Sequence, residues 1–283
     1  MGAEGDALAV GPRLLRGEVG LEAGALDEER RGGEVGDEHG GVRGAPKLLR
    51  NAARRRGSTP PSPTNPPTSM TVGIIGSGSV GRALGRGFAS RGHAVRLGTR
   101  APERDVLQRW TAEAGGDTAV VTNAEAAEAA DLLVVATGWS GTENALRLAG
   151  PEHFRGKVVV DVTNPLDFSQ GPPPRLALGH TDSGGEQVQR WLPGARVVKA
   201  FNIVNAALMV DPELPGGPPT MFIAGDDEGA REEVRALCED FGWEVIDLGG
   251  LAAARYLEPM AMAWVVHGFR TGSWTHAFKM LYQ

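Results

Sequence analysis

Three glycines carry the clearest chemical signal in the chain. Gly76, Gly78 and Gly81 are set in the run Thr71-Val-Gly-Ile-Ile-Gly-Ser-Gly-Ser-Val-Gly81. Their G-x-G-x-x-G spacing follows a β-branched run and opens a helical pattern, which is the arrangement of a turn that holds a dinucleotide pyrophosphate. Gly76 permits the tight turn, with Ser77 beside it. Gly78 lets the pyrophosphate approach the backbone, and Gly81 lets the following helix lie close on the strand. The helix N-terminus then offers free N–H groups and a partial positive charge to the phosphates. About 20 residues on, where an Asp or Glu would hold the ribose 2′-hydroxyl of NAD, the chain reads Gly98-Thr-Arg100, with Arg104 one helical turn later. A hydroxyl at Thr99 and two guanidinium groups suit a 2′-phosphate, because Arg makes charge-assisted, often bidentate bonds to phosphate oxygens. The expectation is NADP(H) rather than NAD. The competing reading of Arg100 and Arg104 is a solvated face at a helix start.

Other reactive residue types form no comparable constellation. Tyr256 has no Lys four residues later, so the Tyr and Lys pair of short-chain dehydrogenases is missing. Lys199 ends an apolar run and reads as a structural cation. His93 falls in a turn and is expected at the surface. His180 lies in the loop Leu178-Gly-His-Thr-Asp-Ser-Gly-Gly185, within reach of a substrate, while His267 and His276 beside Trp264 and Trp274 read as packing. No pair of His has metal-ligand spacing with a nearby carboxylate, so no metal is expected. A single cysteine, Cys238, excludes an intrachain disulfide and a cysteine cluster and fits a reducing cytoplasm. It reads as a small buried side chain in a helix.

The elements that must position these residues begin at Val72. From there short β-branched runs alternate with amphipathic stretches, the pattern of a parallel sheet covered by helices. Strands are expected at 72–76, 94–97, 118–121, 132–136, 157–161, 196–200, 220–223 and 244–247. Apolar spacing at Val80, Leu84 and Phe88 predicts a helix over 79–91, and Val234, Leu237 and Phe241 place another over 228–241. The fold class is α/β: a Rossmann-type, doubly wound, mainly parallel sheet with a small C-terminal α/β extension. Residues 70–200 are expected to form the NADP-binding domain, and residues 201–283 the smaller portion that completes a substrate cleft.

Residues 1–69 contain no Phe, Trp or Tyr and balance ten acidic against ten basic residues. Such a segment buries too little apolar surface to offset chain entropy, and it ends in a Pro-rich linker. The reading is a disordered or mis-assigned N-terminal extension: either translation starts at Met70, or the segment is a disordered tail with a regulatory role. The whole chain of 283 residues has 29 basic and 35 acidic side chains, a net charge of -6. That leaves no basic field to gather nucleic acid or bind an anionic membrane. The longest apolar run near the C-terminus, 260–266, is far short of the roughly 20 residues that span a bilayer. The expected partner is a small molecule or another protein.

These motifs together resemble the NADPH-dependent oxidoreductases typified by NADPH:deazaflavin-coenzyme (factor 420) oxidoreductase, a module shared with the cytosolic domain of the STEAP metalloreductases. The resemblance spans residues 70–283. It rests on the glycine turn, Leu97-Gly-Thr-Arg100, Gly156-Lys-Val-Val-Val-Asp-Val-Thr-Asn-Pro165, Val197-Val-Lys-Ala-Phe-Asn202, Phe222-Ile-Ala-Gly-Asp-Asp227 and Ala254-Arg-Tyr-Leu-Glu258. It implies NADPH across the strand ends, with Ser79 and Val80 in the pyrophosphate loop and Thr99, Arg100 and Arg104 in the 2′-phosphate pocket. Thr137, Gly138 and Trp139, then Asn164 and Pro165, would line the cofactor channel. Asn202 and Val204 fall where deazaflavin reductases have a His and an Ile beside the nicotinamide and the acceptor ring, and Arg255 matches an Arg near the acceptor. Asn202 departs from the pattern, because an amide positions a ring but does not titrate near neutrality. The implied activity is hydride transfer between NADP(H) and a deazaflavin, flavin or similar small acceptor, in a cytoplasmic homodimer. An imine or ketone reductase and a non-catalytic NADP-binding sensor are the alternatives.

Overall fold

The computed structural model describes residues 69–283; residues 1–68, on which the expectation of a disordered or mis-assigned extension falls, lie outside the described residues. In chain order the elements are β1 (Thr71–Ile75), α1 (Ser79–Ser90), β2 (Ala94–Thr99), α2 (Asp105–Ala114), β3 (Thr118–Thr122), α3 (Asn123–Ala129), β4 (Leu132–Val135), α4 (Trp139–Ala149) and β5 (Val158–Asp161). There follow β6 (Leu166–Asp167), β7 (Arg175–Leu176), α5 (Gly184–Trp191), β8 (Arg196–Lys199), β9 (Thr220–Gly225), α6 (Glu228–Asp240), β10 (Glu244–Asp247) and α7 (Ala254–Thr271). All eight expected strands form. Two-residue β6 and β7 make a separate antiparallel pair that composition did not announce.

The eight long strands form one sheet in the order β10-β9-β8-β5-β4-β1-β2-β3. Six of them, β3 through β8 in that order, are parallel; β9 runs antiparallel to β8, and β10 is parallel to β9. The strand order reverses between β1 and β4, where open α/β sheets part their connecting loops and leave a crevice at the strand C-termini. The sheet is a continuous apolar run on each central strand because both of its faces are covered. Alternate residues enter opposite cores. Val72, Ile74, Leu132, Val134, Val158 and Val160 face Leu84 and Phe88 of α1, Trp110 of α2, Val234 of α6 and Leu257 of α7. Ile75, Leu133, Val135 and Val159 face Ala126 of α3, Leu146 of α4 and Val188 of α5.

His93, expected at the surface, is buried: its Nδ1 accepts the Met70 N–H and its ring meets Phe88 edge-on. Burial holds its imidazole below the ordinary value. Cys238 is buried in α6, which pushes its thiol pKa far up and leaves it inert. Among the described residues no helix is long and apolar enough to cross a membrane.

Candidate functional site

The site is built at the C-terminal ends of β2, β1, β4, β5 and β8, five consecutive neighbours in the sheet. After β1, Gly76 adopts φ +118°, and a Cβ there would stand 2.4 Å from the Ala136 carbonyl oxygen. Gly81 is equally constrained by close packing, since its Cβ would lie 2.0 Å from the Gly76 carbonyl oxygen. Gly78 differs. Its Cβ position meets nothing within 4 Å, so the turn is open above the first turn of α1. Three helices of the sheet carry side-chain caps: Thr122 on α3, Ser183 on α5 and Asp227 on α6. By contrast α1, α2 and α4 begin at Gly78, Arg104 and Gly138 with no side-chain cap, and at the two glycine starts the first-turn N–H groups are left to an outside acceptor. Open space at Gly78 beside uncapped donors fits a dinucleotide phosphate.

The end of β2 supplies the second part. Thr99 is buried, and its Oγ1 accepts from Ser77 Oγ at 3.1 Å and from the Ala101 N–H. Its own O–H proton is left to donate. Gly98 is required here, because a Cβ would lie 2.9 Å from Asn123 Oδ1. Arg100 and Arg104 are exposed, and among the described residues neither takes part in an ion pair. With no carboxylate at this strand end, a 2′-phosphate fits and a 2′-hydroxyl would find no acidic acceptor.

Further along the crevice, Thr137 bonds Thr142 hydroxyl to hydroxyl at 2.9 Å and Thr142 donates to the Gly138 carbonyl, fixing the start of α4. Trp139 is half-buried with its ring 5.5 Å from Trp191 of α5. A Cβ on Gly184 would meet Glu258 Oε1, the Trp139 ring and Pro165 within 3.3 Å, so these three groups converge on the start of α5.

Asn164 and Asn202 form a reciprocal pair. Asn164 Nδ2 donates to the Asn202 carbonyl at 2.7 Å, and Asn202 Nδ2 donates both to Asn164 Oδ1 and to the Leu257 carbonyl of α7. Asn202 is only 4% exposed, and its Oδ1 has no hydrogen-bond partner. Phe201, immediately before it, is buried at φ +56°, a conformation that costs a non-glycine residue energy and is held by its surroundings. Val204 is buried in the core cluster with Leu257. Arg255 is turned onto Glu186: its Nε donates to Oε2 at 2.8 Å and its Nη2 to Oε1. Those bonds hold the Glu186 carboxyl below its usual range and raise the guanidinium. Ser183 completes the group, exchanging hydrogen bonds with Glu186. His180, exposed at φ +59°, stands in the loop before α5.

Asp161 and Glu258 were not singled out as chemical residues from the sequence, yet both are buried and share Lys199. The available signal, for Asp161 and Lys199 alone, was a carboxylate and an ammonium each following a run of valines at a strand end.

Residues 71–165 match the family model described as NADP oxidoreductase coenzyme F420-dependent. The chain is 39% identical to a protein from Arthrobacter sp. FB24 designated an F420-dependent NADP-reductase. That solved structure superposes with a TM-score of 0.72, using 76% of this chain and 100% of the other. Identity to the F420-dependent NADP reductase of Methanocaldococcus jannaschii is 28% over 201 residues, 67% of this chain and 88% of the relative. Identity to metalloreductase STEAP3 of Rattus norvegicus is 31% over 199 residues, 70% of this chain and 37% of the relative. The chain thus spans little more than a third of the length of the STEAP relatives it matches.

Proposed function

The chain belongs to the coenzyme F420-dependent NADP oxidoreductase family, and from that premise we propose that it passes hydride between NADP(H) and a deazaflavin or flavin-like ring. The observation that carries the reading is the meeting, at the reversal of the sheet, of the two glycine-started, uncapped helix N-termini with two arginines, just after β2 and at the start of α2, that take part in no ion pair among the described residues. One anionic cofactor with both a pyrophosphate and a 2′-phosphate would satisfy all of these donors.

In this reading the first-turn N–H groups of Ser79, Val80 and Gly81 hold the pyrophosphate over Ser77 and Gly78, and Thr99, Arg100 and Arg104 hold the 2′-phosphate. Thr137, Gly138, Trp139, Asn164 and Pro165 line the way to the nicotinamide end. Bound there, NADPH would supply the hydride, and the protein orients it and excludes water. Asn202 acts from beneath, because its buried Nδ2 is spent on Asn164 and α7. Val204 sets the depth of the floor. Arg255 presents the donors that Glu186 leaves free, a fixed fork for a carbonyl or anionic edge of the acceptor. Since Glu186 neutralises it, Arg255 directs by hydrogen bonding more than by net charge. Residues 201–283 contribute Asn202, Val204 and Arg255, which is the sense in which they complete the cleft.

The test is anaerobic stopped-flow oxidation of bound NADPH against the deazaflavin coenzyme, FMN, FAD, ferric chelates and cyclic imines. Oxidation by the deazaflavin or a flavin supports the reading. Oxidation by imines alone replaces it with an imine reductase, and tight NADPH binding with no oxidation by any acceptor replaces it with a sensor.

A further inference from the structure

Beneath the crevice lies a fully enclosed ionic cluster. Lys199 Nζ, at the end of β8, is 2.7 Å from Asp161 Oδ2 at the end of β5 and 2.8 Å from Glu258 Oε1 on α7. The three side chains are 0%, 0% and 1% exposed. Lys199 also donates to the Thr163 carbonyl at 2.8 Å, and Asp161 Oδ1 accepts from the Thr163 N–H and hydroxyl. Glu258 closes the other side by accepting from the Gly184 and Gly185 N–H groups at the start of α5. At 2.7 Å, Lys199 Nζ is the one polar group within reach of Asp161 Oδ2 among the described residues.

Two carboxylates against one ammonium leave a buried charge of one negative unit, eased by the positive end of α5. Apolar side chains of the same volume would often be at least as stable there, so such a cluster is weak evidence for stability and stronger evidence for a specified geometry. The segments it joins are informative. Thr163 leads directly into Asn164 and Pro165; Lys199 stands three residues before Asn202; Glu258 follows Leu257, whose carbonyl receives the Asn202 amide; Gly184 and Gly185 precede Glu186, which holds Arg255. Thr163–Pro165, Lys199–Asn202, the start of α5 and the first turns of α7 are all anchored to this one ammonium, directly or through Glu258, whereas Thr137–Trp139 is fixed by its own hydroxyl pair. No segment proposed to hold the phosphates is anchored to it.

We infer that Lys199, with Asp161 and Glu258, is a positioning residue that sets the nicotinamide half of the cofactor crevice independently of the phosphate half. The inference rests on the cofactor reading above. It requires that disturbing the cluster weaken ligands only in so far as they carry the nicotinamide.

The measurement compares calorimetric binding of NADP⁺ with that of 2′-phospho-ADP-ribose, which lacks the nicotinamide, using the full chain and its Glu258→Gln and Asp161→Asn variants. Each variant keeps the shape of the side chain and removes one charge from the cluster. Asp247→Asn serves as a control, because Asp247 pairs with Arg231 on the far edge of the sheet, away from Lys199. The expected result is NADP⁺ binding about fivefold or more weaker in both cluster variants, the worth of one lost hydrogen bond. Binding of 2′-phospho-ADP-ribose stays within about twofold in both, and the control shifts neither ligand beyond its effect on the melting temperature. If one cluster variant fails to fold, the other decides. Equal weakening of both ligands, or no change in either, overturns the clamp while leaving the cofactor reading intact. Failure of the unaltered chain to bind 2′-phospho-ADP-ribose overturns the cofactor reading, and the clamp with it.

Discussion

A single methyl group separates the two roles played by glycines in the first turn. At Gly78 the backbone is extended, with φ −71° and ψ −174°, and the Cβ position is clear to 4 Å. Alanine fits there without strain, and its smaller unfolded-state entropy favours folding by about 0.4–1 kcal/mol. In a domain of this size that raises Tm by ~1–4 °C. At Gly81 the same methyl would lie 2.0 Å from the Gly76 carbonyl oxygen, so α1 must back away from β1. Overpacking of this kind costs about 1–3 kcal/mol and lowers Tm by ~2–12 °C. Binding is expected to rank the variants differently from stability. In Gly78→Ala the methyl occupies the space through which a pyrophosphate would reach the α1 amides, and losing one charge-assisted bond costs about 1.5–3 kcal/mol, roughly tenfold to hundredfold in Kd. Thermal melts and calorimetric titration with NADPH on both variants make the comparison. The reasoning fails if Gly78→Ala binds NADPH like the parent, or if it loses as much stability as Gly81→Ala.

Three further outcomes follow from the same structure. Arg100→Ala should weaken NADPH by roughly tenfold to hundredfold and leave NADH unchanged; equal weakening of both, by the same titration, contradicts the 2′-phosphate assignment. Hydrogen bonds from Arg255 hold the Glu186 carboxyl below its usual range, so the unfolded chain takes up that proton first as pH falls. Its contribution is therefore full above the unfolded value of about 4.3 and is lost as pH drops through the lower folded value. Below about pH 4.5 the urea midpoint should fall, and less steeply in Glu186→Gln than in the parent, while the buried His93 that both share sets any slope between about pH 6.5 and 5; an unchanged acid limb in that variant refutes the pairing. Lys199→Met leaves Asp161 and Glu258 buried without their cation and should cost about 3–5 kcal/mol in urea unfolding at pH 7, whereas a cost under about 1 kcal/mol would mean that water or relaxation reaches the cluster.

The glycine turn was legible because its chemistry is local: strand, turn and helix start within eleven residues of Thr71–Gly81. The eight strands were legible because burial on both faces forces apolar runs such as Val158-Val-Val. That Thr99 ends β2, with Arg100 just beyond it and Arg104 at the start of α2, could be read from the spacing alone, since β2 pairs beside β1 in register. What escaped the sequence depends on contacts between distant segments. Asp161, Lys199 and Glu258 come from three separate stretches, and only the register of β5 with β8, which sets Asp161 opposite Lys199, brings the first two together. Glu186 reads as an ordinary first-turn acid of α5 until α7 delivers Arg255 to it. His93 sits in a turn, where exposure is the usual outcome, but the Met70 N–H and the Phe88 ring enclose it. The reversed direction of β9 follows from where its connection runs, which strand composition does not record.

The most direct test of the central claim is isotopic. A single turnover with NADPH carrying deuterium at both positions of nicotinamide C4, run anaerobically in ordinary water with the deazaflavin coenzyme as acceptor, traces the hydrogen itself. Carbon-bound deuterium does not wash out into solvent. Direct hydride transfer across the crevice predicts one deuterium on the reduced deazaflavin for each NADPH consumed. Reduced deazaflavin carrying only solvent hydrogen, or NADPH consumed with the deazaflavin left oxidised, would contradict it.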